Sequence, residues 1–129
     1  IPFNAFITNV VAKGIPSEAR SKIYGLSYYY YGMEGFEDQE LVEKAKKFTA
    51  DHVAMFNEPP DAYGAIAYNA AQMMLAAVEA AGTFDVDAVS EVLASKTFDT
   101  IKGESKFRED HELVGDYLAF MVKGKLLRW

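Results

Sequence analysis

The residues best suited to chemistry in this chain are its tyrosines. Tyr28-Tyr29-Tyr30-Tyr31 form an unbroken run, and Tyr63 follows Pro59-Pro60-Asp61-Ala62. A phenol can recognise a small molecule by laying down its ring and by giving or taking one hydrogen bond. In an extended run alternate side chains face opposite sides, so Tyr28 and Tyr30 can line a cleft while their neighbours pack inward. The other reading is a half-buried strand end with its hydroxyls at the surface. Tyr63 carries the same pair of readings: a ring offered to a ligand, or a cover over a helix end.

Catalytic patterns are missing. The chain holds no G-x-G-x-x-G, no G-x-x-x-x-G-K-[ST], no G-x-S-x-G and no H-E-x-x-H. His52 and His111 stand in unrelated polar contexts without ligand-spaced partners, which suits surface histidines better than metal ligands. Glu34, Glu37, Asp38 and Glu40 gather where a helix begins, and acids are expected there for the helix dipole. Asp85 and Asp87 lack the other oxygen ligands and the glycine of a calcium loop. The expectation is no catalytic residue, no metal and no cofactor.

Composition narrows the partners. The 129 residues are half hydrophobic, enough for a sizeable core, and carry a net charge of -6. That acidity argues against a nucleic-acid partner, whose phosphates need a basic face. With no cysteine, disulfides, zinc–thiolate sites and cysteine nucleophiles are excluded. Ile1-Pro2-Phe3-Asn4 matches neither an initiator methionine nor a signal peptide, so a processed or cut product is expected.

The tyrosines must be positioned by the elements around them, and the 62–81 stretch organises those. Asp61 can cap its start and Gly82 can close its end in the left-handed conformation. No formal charge occurs from Ala62 to Val78, which predicts a central helix about 30 Å long and buried nearly all round. It is too rich in Ala, with Asn69 and Gln72, to suit a membrane. Helices are also predicted over 3–12, 36–54 and 86–95, and a strand over 22–31. The 98–103 piece reads as a turn-rich connection, 105–108 as a short extended piece and 109–112 as a polar turn. Residues 116–123 and 125–129 read as a hairpin around Lys123-Gly124-Lys125.

Taken in order, these residues resemble a family. Pro60-Asp61-Ala62-Tyr63-Gly64-Ala65-Ile66-Ala67-Tyr68-Asn69-Ala70-Ala71, then Ala80-Ala81-Gly82, then Phe98-Asp99-Thr100-Ile101-Lys102-Gly103 and the strand Tyr117–Lys123 resemble the type I periplasmic solute-binding proteins of the leucine/isoleucine/valine-binding branch. Tyr24-Gly25-Leu26-Ser27-Tyr28-Tyr29 is similar to the strand that precedes them. Glu104-Ser105-Lys106 departs from the proline and apolar residues common there, and His111-Glu112 from the usual Asn/Asp-Gly turn.

The resemblance implies an α/β fold with two three-layer lobes, of which this chain is a C-terminal portion. Residues 1–57 would belong to the C-terminal lobe, 58–110 to the N-terminal lobe with the central helix, and 111–129 would return to the C-terminal lobe. It implies a periplasmic or extracellular solute-binding component of an ABC uptake system, not an enzyme. The solute would be an amino acid or related small organic acid held between the lobes, and an ABC permease would be the membrane partner. The missing N-terminal part, or self-association, would cover what this portion leaves open. Tyr63 looks like the family's aromatic contact, with Tyr28 and Tyr30 on the crossover near the cleft. The same fold also serves as a ligand-sensing domain of regulators; a small α/β enzyme is the disfavoured class.

Overall fold

Asp61 turns the chain into its longest helix. Its carboxylate accepts a hydrogen bond from the Gly64 amide at 2.8 Å, satisfying one of the free donors at a helix start. In the computed structural model, which describes residues 2–3, 13–22, 24–27, 29, 36–115 and 120–123, this helix runs Ala62–Ala81. Gly82 ends it at φ 65, its amide donating to the Val78 and Glu79 carbonyls. Both ends lie where the sequence places them.

The elements follow in order: β1 (Pro2–Phe3), α1 (Ser17–Arg20), β2 (Tyr24–Ser27), α2 (Gln39–Phe56), α3 (Ala62–Ala81), α4 (Val86–Ser95), β3 (Thr97–Thr100), β4 (Gly103–Phe107), β5 (Leu113–Gly115) and β6 (Phe120–Lys123). They form two sheets, in orders β1-β2-β6 and β3-β4-β5. β1 is parallel to β2, whereas β2–β6, β3–β4 and β4–β5 are antiparallel. The α/β class is as expected.

α2 begins later than the predicted 36–54 helix because Asp38 is extended and accepts from the Leu41 amide at 3.0 Å. It ends where Asn57 takes the left-handed conformation ahead of two prolines. Its apolar stripe is buried through Leu41, Val42, Ala45 and Phe48. α4 has the predicted bounds, capped by Asp85 at 3.0 Å from the Ala88 amide.

Four expectations are corrected. The first concerns α3, which is not buried all round. Its covered stripe is Ala65, Asn69, Met73 and Ala77, one residue per turn, while Leu75 is 66% exposed and Met74 49%. Ala65 and Ala77 have no exposed surface, so small side chains bring the neighbouring elements close on that face alone. Asn69 sits on the buried stripe because its carbonyl oxygen accepts from the Ile101 amide at 3.3 Å.

The second is the 98–103 connection, which is strand β3 and a tight turn. Phe98 and Thr100 alternate inward, and the Thr100 hydroxyl donates to the Gly103 carbonyl while accepting from the Lys102 amide. The third is β5, an unexpected strand that starts three residues before the predicted one. The 109–112 turn that precedes it closes through the Arg108 amide on the Glu112 carbonyl. The fourth is Phe3, which belongs to β1 rather than to a helix. The remainder of that predicted helix, at 4–12, and the 125–129 half of the predicted hairpin lie outside the described residues. β6 pairs with β2, Ser27 facing Phe120.

Two cores result. Tyr29, Leu41, Val42, Ala45, Phe48, Ala65 and Ile101 form one, joining α2 to the start of α3 and the β3–β4 turn. Met73, Ala77, Val89 and Phe98 form the other, between α3, α4 and β3. Lys44 adds an ion pair from α2 to Asp99 of β3 at 2.7 Å. Replacing Phe48 by Ala should cost about 3–5 kcal/mol of unfolding free energy, the loss typical of a deleted core phenyl ring. Met55→Ser, at a 74% exposed position, should stay within ~0.5 kcal/mol in the same urea titration.

Candidate functional site

The first turn of α3 presents the candidate. Pro59 and Pro60 are buried beneath it, and Asp61 spends its carboxylate on Gly64, so Tyr63 leaves the surface from a fastened turn. Its side chain is 49% exposed. An aromatic ring and a phenol thus stand at the positive end of a 20-residue helix dipole, a setting that suits a solute carrying a carboxylate.

Tyr29 has a different role. It is 3% exposed and meets Phe48 edge-to-face at 5.8 Å and 77°. Its hydroxyl donates to the Ala45 carbonyl at 3.4 Å. Burial pushes this phenol up to about 12 from the ordinary 10.0, against a lowering hydrogen bond with Thr49. One tyrosine of the run therefore packs inward. Tyr28 and Tyr30 lie outside the described residues.

The remaining polar residues mostly serve the scaffold. Asp38 caps α2, and Glu40 joins Lys44 at 3.0 Å. Hydrogen bonding to Asp99, and then to Glu40, holds the Lys44 ammonium above its ordinary range. Arg108 clasps Asp110, which keeps that carboxyl below the usual carboxylate range. Among the described residues no group of three His, Asp or Glu side chains can hold a metal ion. A cavity of about 1090 Å³ opens beside β4 and β5, lined by Lys106, Arg108, Glu109, Asp110 and His111 among others. Neither Tyr63 nor Tyr29 lines it, and its arginine is already committed to acids of the same turn. The α3 turn is the better candidate.

The surroundings of two residues escaped the sequence reading. Lys102, on the β3–β4 turn, is half-buried, and desolvation lowers its pKa. His52 is a partly exposed histidine whose contacts the sequence did not disclose: its Nδ1 is 2.7 Å from the Glu58 carbonyl, and its ring packs on Phe56. His111 is exposed, in the left-handed conformation of its turn.

Two three-stranded sheets, with α3 and α4 packed on β3 and β4, make up an α/β module that carries an aromatic helix start. The sequence profile of the periplasmic binding protein family matches residues 4–125, and the chain belongs to that family. Its fold is that of the type I members. It is similar to an ABC-type branched-chain amino acid transporter protein from Rhodopseudomonas palustris, with 26% identity and a TM-score of 0.70, over 96% of this chain and 31% of that one. A second ABC transporter structure from that organism is 31% identical, with a TM-score of 0.54, over 75% of this chain and 28% of that one. A solute-binding protein of R. palustris in complex with benzoate shares the fold at 17% identity and a TM-score of 0.68, over 96% of this chain and 40% of that one. The chain thus spans about a third of the length of solved structures it matches. No curated protein matches the sequence.

The Tyr29 shift sets a pH dependence. Because its folded pKa is raised, the stability it contributes is fully present below pH 10 and is lost as pH rises through about 12. Tyr29→Phe should remove that loss. Urea unfolding midpoints taken from pH 9 upward, wild type beside variant, should therefore converge as the pH increases.

Proposed function

We propose that this chain forms part of a solute-binding component of an ABC uptake system, working in the periplasm or outside the cell and delivering its solute to a membrane permease. The solute is an amino acid or related small organic acid, held between two lobes. The β1-β2-β6 sheet is assigned to one lobe. α2, α3, α4 and the β3-β4-β5 sheet are assigned to the other.

This division departs from boundaries at 57 and 110. The core that joins Leu41 and Phe48 to Ala65 supports a crossing before α2, between Ser27 and Phe36. The pairing of β4 with β5 supports a return after Gly115. Closure around the solute is favoured because only the closed form touches it from both sides. Affinity then comes from a partly aromatic, mostly preformed cleft, and no covalent step is required.

Tyr63 carries the site assignment: an aromatic ring 49% exposed on an otherwise fastened helix start, in a chain whose family binds solutes. Tyr28 and Tyr30, on the proposed crossing, are assigned to the facing wall. The part of the parent that this chain does not contain would cover the exposed apolar side of α3, with self-association as the substitute when it is absent.

In the full-length protein, Tyr63→Ala should weaken binding by about tenfold, the scale of losing an aromatic anchor. Isothermal titration with L-leucine and with benzoate measures this, and the urea midpoint should hardly move. Unchanged affinity for the solute that binds would remove Tyr63 from the site.

A further inference from the structure

We infer that His52 is the positioning residue for Tyr63: it pins the proline-rich junction between α2 and α3 and so sets how the first turn of α3 presents the tyrosine ring. The inference rests on the reading of Tyr63 as a solute contact.

The junction needs a pin. Pro59 and Pro60 have no amide hydrogens, so neither can fasten the segment by a backbone donor. The amide of Asn57 is used on the Val53 carbonyl, which closes α2. His52, one turn before the end of α2, supplies a donor from its side chain. Its Nδ1 lies 2.7 Å from the Glu58 carbonyl oxygen, which can only accept, so Nδ1 carries the hydrogen.

The ring that makes this bond is held from both sides of the helix end. Phe56 lies 4.7 Å from it at 51°, and Phe48, itself a core residue, lies 6.0 Å away at 69°. The imidazole also reaches across the junction. A Cβ added at Gly64 would lie 3.8 Å from His52 Nε2 and 3.6 Å from Asp61 Oδ1, so the imidazole edge borders the space that the missing side chain next to Tyr63 leaves open. One side chain thus packs on the core of α2, binds the junction carbonyl and borders the first turn of α3. Asp61 orders that turn from within, and His52 ties it to the neighbouring helix.

A merely structural histidine would lower stability without preferring the Tyr63 site, so the test is a double-mutant cycle in the full-length protein. L-leucine and benzoate serve as separate probes, with amide exchange at Gly64 followed alongside. His52→Ala should weaken binding about five- to tenfold, yet add less than about twofold in a Tyr63→Ala background, the non-additivity of residues acting through one another. Gly64 exchange should accelerate. His52→Asn, whose amide can donate to the Glu58 carbonyl, should restore affinity to within about twofold and keep the fold testable if the alanine variant unfolds. Equal losses from His52→Ala in both backgrounds, or no loss while Tyr63→Ala weakens binding, would overturn the inference. If Tyr63→Ala changes nothing, or neither probe binds, the solute-site reading falls and the inference with it. Gly64 exchange would then still show whether His52 holds the turn.

Discussion

Much of this structure depends on where the Tyr29 ring is buried. β2 ends at Ser27, and two residues later the chain is already inside the core formed by α2, Ala65 of α3 and Ile101. Only Tyr28 separates a strand of one sheet from the packing that supports the other. An edge-to-face aromatic pair adds about 0.5–1.5 kcal/mol beyond the area it buries, and a buried phenol also demands a partner for its hydroxyl. Ala45 meets that demand through its carbonyl. Phe48 then extends the contact to Tyr68 on α3, ring centroids 4.5 Å apart. The position of α3, and of the Tyr63 turn, follows from that stack.

The second constraint is size. Ala65 and Ala77 allow α3 to approach its neighbours closely, and Asn69 uses the same face to hold the Ile101 amide. A helix packed this closely on one narrow stripe cannot cover its flanks with the same neighbours. Ile66, Met74 and Leu75 are left exposed, on a chain about a third as long as the structures it resembles. In the proposed two-lobed protein those flanks meet further elements of the same lobe.

Some of this was legible in the letters. Helix ends at Asp61, Gly82 and Asp85 were, because the side chain that caps, or the missing one that permits a left-handed turn, is local. The inward stripe of α2 was, because its period is that of a helix. β3 was not: Asp99 and Thr100, with Gly103 just beyond, are turn formers, and the strand depends on alternation over only four residues and on pairing with β4. The β2–β6 pairing joins residues roughly a hundred positions apart, and nothing local announces it. Composition disclosed that α3 is apolar, but which face is covered depends on its neighbours. At the site, Tyr63 was reached through the family pattern. His52 was not, since its role depends on a carbonyl six residues away across a helix end.

The most direct measurement is hydrogen exchange by mass spectrometry on the full-length protein, with and without saturating solute. A cleft between the β2 crossing and the α3 start predicts slower exchange in both the 24–36 and 57–66 peptides when solute is bound. Protection confined to one of them, or found only around the β4–β5 cavity, would contradict a solute held between two lobes at this place.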